Sequence, residues 1–308
     1  MTTSMPLHFQ RIVIFGVGLI GGSFALALKK AGATRHITGV GRSLTSLQRA
    51  KQLGIIDEIV QADQLGEAIN QADLILIAAP VAQTTSILQS LLPHLQSHTI
   101  ISDAGSTKSD VEQAARAVLG ARIGQFVPAH PIAGREMNGP DAALADLYVG
   151  KKVVITALPE NSQAAVAAVA EVWQQCGALL HYLSPQEHDK VFASVSHLPH
   201  LLAYALVNDI ARKPHADLLF QYAASGFRDF TRIAGSSPEM WRDITLANRQ
   251  ALLQELDAYS AQLTQLRQAI VTQDAATIEA IYGNAQRARH NWMTAIESAE
   301  KQRQGGGN

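Results

Sequence analysis

The stretch RIVIFGVGLIGGSFALALKKAG, residues 11 to 32, constrains this chain more than any other. A short β-branched apolar run meets glycines and passes into a helical repeat, which reads as strand, tight turn and helix. Gly16, Gly18 and Gly21 have the spacing of a dinucleotide-binding turn. The first glycine permits the turn, the second lets a pyrophosphate approach the backbone, and the third lets helix and strand pack closely. Leu19 and Ile20 lie between them, and the helix amino terminus that follows faces the phosphates.

Further short apolar runs continue the pattern at HITGVGRS, ADLILIAAP, HTIISDAGS, GQFVPAH, KKVVITAL and GALLHYL. Helical segments such as VAQTTSILQSLLPHL separate the earlier ones. The expectation is a Rossmann-type, doubly wound α/β domain with a mainly parallel sheet over residues 1–184. Ligands of such sheets sit at the carboxyl ends of the strands. Asp103 with Ser106, then His130, and the turn at Pro80 arrive there.

After residue 184 the strand signals stop. Ser184 and Pro185 read as the cap and first turn of a helix, and an all-helical second domain is expected over 185–303, followed by a disordered tail over 304–308, within the closing run RQGGGN. Leu252, Leu256, Tyr259, Leu263, Leu266 and Ile270 recur at steps of four and three, an apolar seam that needs a partner, either the following helix or a second subunit.

Composition excludes several classes. At 308 residues and 47% hydrophobic content the chain can bury more than one core. Its 25 basic and 26 acidic residues leave a net charge of -1, so no nucleic-acid or membrane surface working through bulk charge is expected. Cys176, the only cysteine, reads as a small buried thiol and excludes a disulfide framework. The amino terminus has no cationic, apolar leader, and no later segment reaches the roughly 18 uncharged apolar residues of a membrane helix. The reading is a cytoplasmic protein.

The second strand should end in an acid that accepts the ribose hydroxyls of NAD, yet Gly41, Arg42 and Ser43 stand there, with Asp57 the nearest acid downstream. Arg42, Ser43 and Thr45 suit a 2′-phosphate. NADP is therefore favoured, with NAD left open and Arg42 otherwise a solvated loop residue. His130 stands between Pro128 and Pro131, which restrict the backbone. Such a strand-end histidine is either structural or a base that accepts a hydroxyl proton as hydride leaves the same carbon.

The blocks GVGLIGGS, SDAGSTKSD, PAHPIAGRE, SVSHLPHLLAYAL and GFRDFTRIAGSSPEMW, in this order over nearly the whole chain, resemble the prephenate and arogenate dehydrogenases of tyrosine synthesis. The resemblance implies oxidative decarboxylation without a metal, and a homodimer through the helical domain. It implies that His130 is the catalytic histidine on the substrate hydroxyl and that Ser106 orients it. Ser196, His200 and Trp241 would line the substrate pocket, Arg232 would hold a substrate carboxylate, and Glu136 and Asp189 would join a polar network near the entrance. From the residues alone, His188 and Asp189 read equally well as a solvated first turn, and Lys108 reads as an exposed helix lysine. Two rivals are a hydroxyacid dehydrogenase, for which Lys190 is the available lysine, and a non-catalytic NADPH sensor.

Overall fold

The computed structural model describes residues 9–61, 64–135 and 137–305. The first half alternates β1 (Arg11–Phe15), α1 (Leu19–Ala31), β2 (His36–Val40), α2 (Leu44–Gln52), β3 (Glu58–Val60), α3 (Leu65–Asn70), β4 (Leu74–Ile77), α4 (Thr84–Leu91), β5 (Ile100–Asp103), α5 (Ser109–Leu119) and β6 (Phe126–Val127). These strands form one parallel sheet in the order β3-β2-β1-β4-β5-β6, the arrangement of dinucleotide-binding sheets. Helices cover both faces, so strands such as LILI of β4 are buried throughout. One core gathers Ile12, Ile14, Phe24 and Leu28 with Trp173 and Tyr148; the other gathers Val13, Ile75, Ile77 and Phe126 on the opposite face.

Two departures from the sequence reading follow from local chemistry. GQFVPAH is not one strand. Pro128 has no N–H for a ladder, and the chain breaks there into β6 and β7 (Ala129–Pro131), which belong to different sheets. With β8 (Lys152–Ile155), α6 (Gln163–Gln175) and β9 (Leu179–Tyr182), β7 builds a second, three-stranded sheet, antiparallel at β7–β8 and parallel at β8–β9. His130 is therefore the middle residue of a short strand and not the end of the parallel sheet. The sequence reading also missed β3, whose three residues include an exposed glutamate.

From residue 185 the described chain is helical, with α7 (Pro185–Phe192), α8 (Leu198–Ala211), α9 (Ala216–Gln221), α10 (Ser225–Thr231), α11 (Pro238–Ala247), α12 (Arg249–Val271) and α13 (Ala275–Gly305). Ser184 and Glu187 form a full capping box at the start of α7. A π turn over Ala193–His197 joins α7 to α8. Pro199 in the first turn of α8 cannot donate to the preceding carbonyls, which is a physical cause for the irregular turn. The run Pro185–Ala211 is long and apolar enough, by length and composition alone, to pass for a membrane span, although it includes the charged residues Asp189 and Lys190. Its polar residues His188, Asp189 and His197 are buried in hydrogen bonds described below.

Two compact units divide at Leu252 and Leu253. In the second, α12 leaves Leu263 and Ile270 of the expected seam exposed. Helix α13 runs through Gly305, into the stretch read as a tail; residues 306–308 lie outside the described residues.

Candidate active site

The glycine turn has the geometry its spacing implied. Gly16 has a φ of 91°, and a Cβ there would lie 2.6 Å from the carbonyl oxygen of Ala78, while one on Gly21 would lie 2.2 Å from the carbonyl oxygen of Gly16. Gly18 faces open space and opens α1 without a side-chain cap, so the first-turn N–H groups remain available to an anion. Leu19 is buried and Ile20 partly so; the Ile20 carbonyl accepts from the Tyr148 hydroxyl at 2.6 Å. Pro80, at the carboxyl end of β4, opens the turn beside Gly16. These residues fit a dinucleotide.

At the end of β2, Arg42, Ser43 and Thr45 are exposed, and the Ser43 hydroxyl caps α2 by accepting from the Ser46 N–H at 3.2 Å. Asp57 is no ribose ligand. It accepts from the Ile37 N–H at the opposite end of β2 and pairs with Lys29 at 2.7 Å. Burial opposes its ionisation, but these bonds hold its carboxyl below the usual range.

Asp103, at the carboxyl end of β5, is buried and does not face a ligand. Its oxygens accept from the N–H groups of Ala129 (3.1 Å) and Gly105 (2.9 Å) and from the ammonium of Lys108. Lys108 is fully buried, correcting its reading as an exposed helix lysine. A charge so enclosed requires a close counter-charge, and Asp103 supplies it. The pair also ties the loop after β5 to the strand that carries His130.

The expected base has an unexpected partner. His130 Nδ1 lies 2.8 Å from Nε2 of His188, and His188 Nδ1 lies 2.9 Å from Oδ1 of Asp189. Phe192 packs against both rings, at 5.0 and 4.5 Å between centroids. Asp189 also accepts from the N–H groups of Lys108 and Ser109, each at 2.8 Å, and so caps the start of α5. His188 and Asp189 are thus buried beside His130 and are not a solvated turn. Burial works against the Asp189 carboxylate, but bonds from His188, Ser109 and Lys108 outweigh it and lower its pKa.

These bonds assign the protons. An ionised Asp189 only accepts, so His188 carries its hydrogen on Nδ1. Burial lowers the His188 pKa below its ordinary value, which leaves Nε2 of the neutral ring as an acceptor, and His130 must then donate from Nδ1. Burial, followed by the influence of His188, Lys108 and His197, pushes the His130 pKa well below 6.5. His130 is therefore neutral near pH 7, with a lone pair on Nε2.

The remaining side chains gather around the π turn. His197, buried and with its pKa lowered by burial to about 4, bonds the Ser106 backbone and lies 3.0 Å from Nδ2 of Asn248, which also donates to the Asp189 carbonyl at 2.7 Å. His200 donates from Nδ1 to the Ser196 carbonyl at 2.8 Å and stacks on Trp241 at 3.5 Å and 18°. Its pKa is lowered by burial and by the positive charge of Arg232. The Trp241 indole N–H is buried without a partner among the described residues. Ser106 is half-buried and makes no side-chain bond to His130. Lys190, the lysine available to the hydroxyacid-dehydrogenase reading, is exposed. Glu136 lies outside the described residues. Neither Asn248 nor the support that His188 gives His130 has a local signal in the sequence, because the partners lie 59 and 58 residues away.

Two family models match. "Prephenate dehydrogenase, nucleotide-binding domain" covers residues 24–182, and "Prephenate dehydrogenase, dimerization domain" covers 184–283. A cyclohexadienyl dehydrogenase of Zymomonas mobilis is 36% identical over 283 residues, 91% of this chain and 95% of that protein. The crystal structure of prephenate dehydrogenase from A. aeolicus in complex with hydroxyphenyl propionate and NAD+ superposes with a TM-score of 0.86 at 34% identity, covering 94% of this chain and 99% of that one. Synechocystis arogenate dehydrogenase gives 0.76 at 28% identity, over 92% and 100%. With its parallel dinucleotide-binding sheet, its helical second half and the motif residues that meet between them, this chain belongs to the prephenate dehydrogenase family.

Proposed function

We propose that this protein oxidatively decarboxylates prephenate or arogenate, the reaction that leads to tyrosine, with His130 as the base. The observation that carries the reading is the 2.8 Å bond from His130 Nδ1 to His188 Nε2, which leaves Nε2 of His130, without a partner among the described residues, to the substrate; burial lowers the pKa of the ring and favours its neutral form. A bound nicotinamide supplies the hydride acceptor. His130 takes the hydroxyl proton as hydride leaves the same ring carbon. Ser106, whose hydroxyl has no protein partner among the described residues, contacts the same substrate oxygen. Loss of the ring carboxylate as carbon dioxide then makes the ring aromatic, with no covalent intermediate on the protein.

A dianionic substrate needs a fixed positive charge in a nearly neutral protein. Arg232 supplies it with charge-assisted hydrogen bonds of about 1.5 to 3 kcal/mol. Charge on the departing carboxylate would stabilise the ground state, so Arg232 serves binding and orientation. Ser196, His200 and Trp241 line the pocket, where the unpartnered indole N–H offers a donor. Glu136 is assigned to the entrance by resemblance alone, and Asp189 is reassigned from the entrance to the support of His188.

Gly16, Gly18, Leu19, Ile20, Gly21 and Pro80 hold the dinucleotide. NADP is the favoured form, with NAD retained as an alternative. Arg42, Ser43 and Thr45 offer a guanidinium and hydroxyls at the end of β2, and Asp57 is engaged elsewhere. The match to a dimerization domain and the exposed Leu263 and Ile270 of the α12 seam support a homodimer. Steady-state kinetics with both substrates against both cofactors, following reduced nicotinamide, tests the whole reading. Turnover of prephenate or arogenate with a lower KM for NADP than for NAD is the expected outcome, and turnover of neither substrate contradicts it.

A further inference from the structure

The proton balance of this reaction bears on His188. Hydride and the hydroxyl proton leave the substrate, giving a dienone. Carbon dioxide then departs, its electron pair enters the ring, and an aryl oxide remains that must regain one proton to become the phenol. The sum is substrate and oxidised nicotinamide giving phenol, carbon dioxide and reduced nicotinamide, with no net proton. A base that released its proton to water would have to recover it one step later.

The side chains behind His130 are arranged to keep it. His188 Nε2 faces the Nδ1–H of His130 at 2.8 Å, and His188 Nδ1 is committed to Asp189 at 2.9 Å. His188 has no exposed surface, and Phe192 packs against both rings. Among the described residues, His130 is the one partner of His188 Nε2, so a proton held there returns through His130. We propose that His188, supported by Asp189, holds this proton during hydride transfer and returns it through His130 to the aryl oxide after decarboxylation.

In the forward direction the substrate O–H bond breaks and a bond to His130 Nε2 forms, while the His130 Nδ1–H bond breaks and one to His188 Nε2 forms. The return reverses each exchange. The resulting imidazolium is stabilised by the carboxylate of Asp189. The ammonium of Lys108 opposes it, neutralised by Asp103, and His197 is the remaining titratable neighbour. The inference rests on His130 being the base.

His188→Gln separates storage from orientation, because an amide oxygen can accept from His130 Nδ1 but cannot take up a proton. The expected result is a kcat lowered roughly 10²-fold, the low end for a positioned proton-transfer group, with KM little changed and a larger solvent deuterium isotope effect on single turnover. Wild-type kcat and isotope effect in this variant would overturn the relay and leave His188 a purely orienting residue. A fully active His130→Asn would instead remove the base reading itself. Two measurements on the unaltered protein decide the matter should the glutamine variant fail to fold. Nitrogen-15 NMR of the ligand-free protein should show both rings neutral, with His130 protonated on Nδ1; the other tautomer overturns the proposal. Stopped flow with a pH indicator in weak buffer should show reduced nicotinamide forming without proton release, whereas a proton appearing in step with it overturns the proposal.

Discussion

His130 is useful as a base only while Nε2 stays bare, and the groups that keep it so come from another part of the chain. In the stretch PAHPIAG, the two prolines and the histidine announce a rigid imidazole, and GFRDFTRIAG and SHLPH announce Arg232 and His200, because each residue sits in a short local pattern. His188 had no such signal. A histidine next to an aspartate in the first turn of a capped helix is what a solvated turn also looks like, and only the approach of β7 to α7 distinguishes the two. Lys108 was misread for the same reason, since its counter-ion Asp103 lies in the preceding strand. Replacing Arg232 with Ala should raise the substrate KM at least tenfold, the loss of about 1.5 kcal/mol or more, with a smaller change in kcat; an unchanged KM would mean that another cation holds the carboxylate. Asn248→Ala leaves the His197 ring without its donor and removes one of two donors to the Asp189 carbonyl, which keeps the Ala193 N–H. Thermal or denaturant unfolding should show a loss of about 1 to 3 kcal/mol.

Among elements, the parallel sheet was legible because buried strands read as continuous apolar runs between glycine and proline signals. The second sheet was not, because the break at Pro128 is a matter of which strand each half pairs with. The junction of α5 and α7 depends on ionisation. Asp189 accepts two N–H bonds at the start of α5 and one from His188, and its folded pKa is lowered. This contribution is complete above the unfolded carboxylate value near 3.9 and is lost as pH falls through the lower folded value. The stability difference between the wild type and Asp189→Asn should therefore shrink below about pH 4. Buried neutral histidines act at higher pH. His197 titrates at about 4 when folded and near 6.5 when unfolded. The unfolded chain thus binds the extra proton between these values, and folding loses up to about 1.4 kcal/mol per pH unit as pH falls from 6.5 toward 4. Urea titrations across this range should show a shallower loss in His197→Asn.

For the whole molecule, the apolar seam of α12 was readable from its spacing, but the choice between a partner in the same chain and one in a second copy was not. Leu263 and Ile270 stay exposed, as do Tyr282 and Trp292 on α13, large apolar side chains of the kind a partner surface covers. Leu263→Glu combined with Ile270→Glu should convert a dimer to monomers in sedimentation experiments; a monomeric wild type would refute the assignment of this face. The central claim concerns chemistry at one nitrogen, and its most direct test is the turnover of His130→Asn with prephenate or arogenate at saturating cofactor. A kcat lowered roughly 10²- to 10⁴-fold with nearly unchanged KM is the expected result, and a kcat equal to that of the wild type would contradict the account.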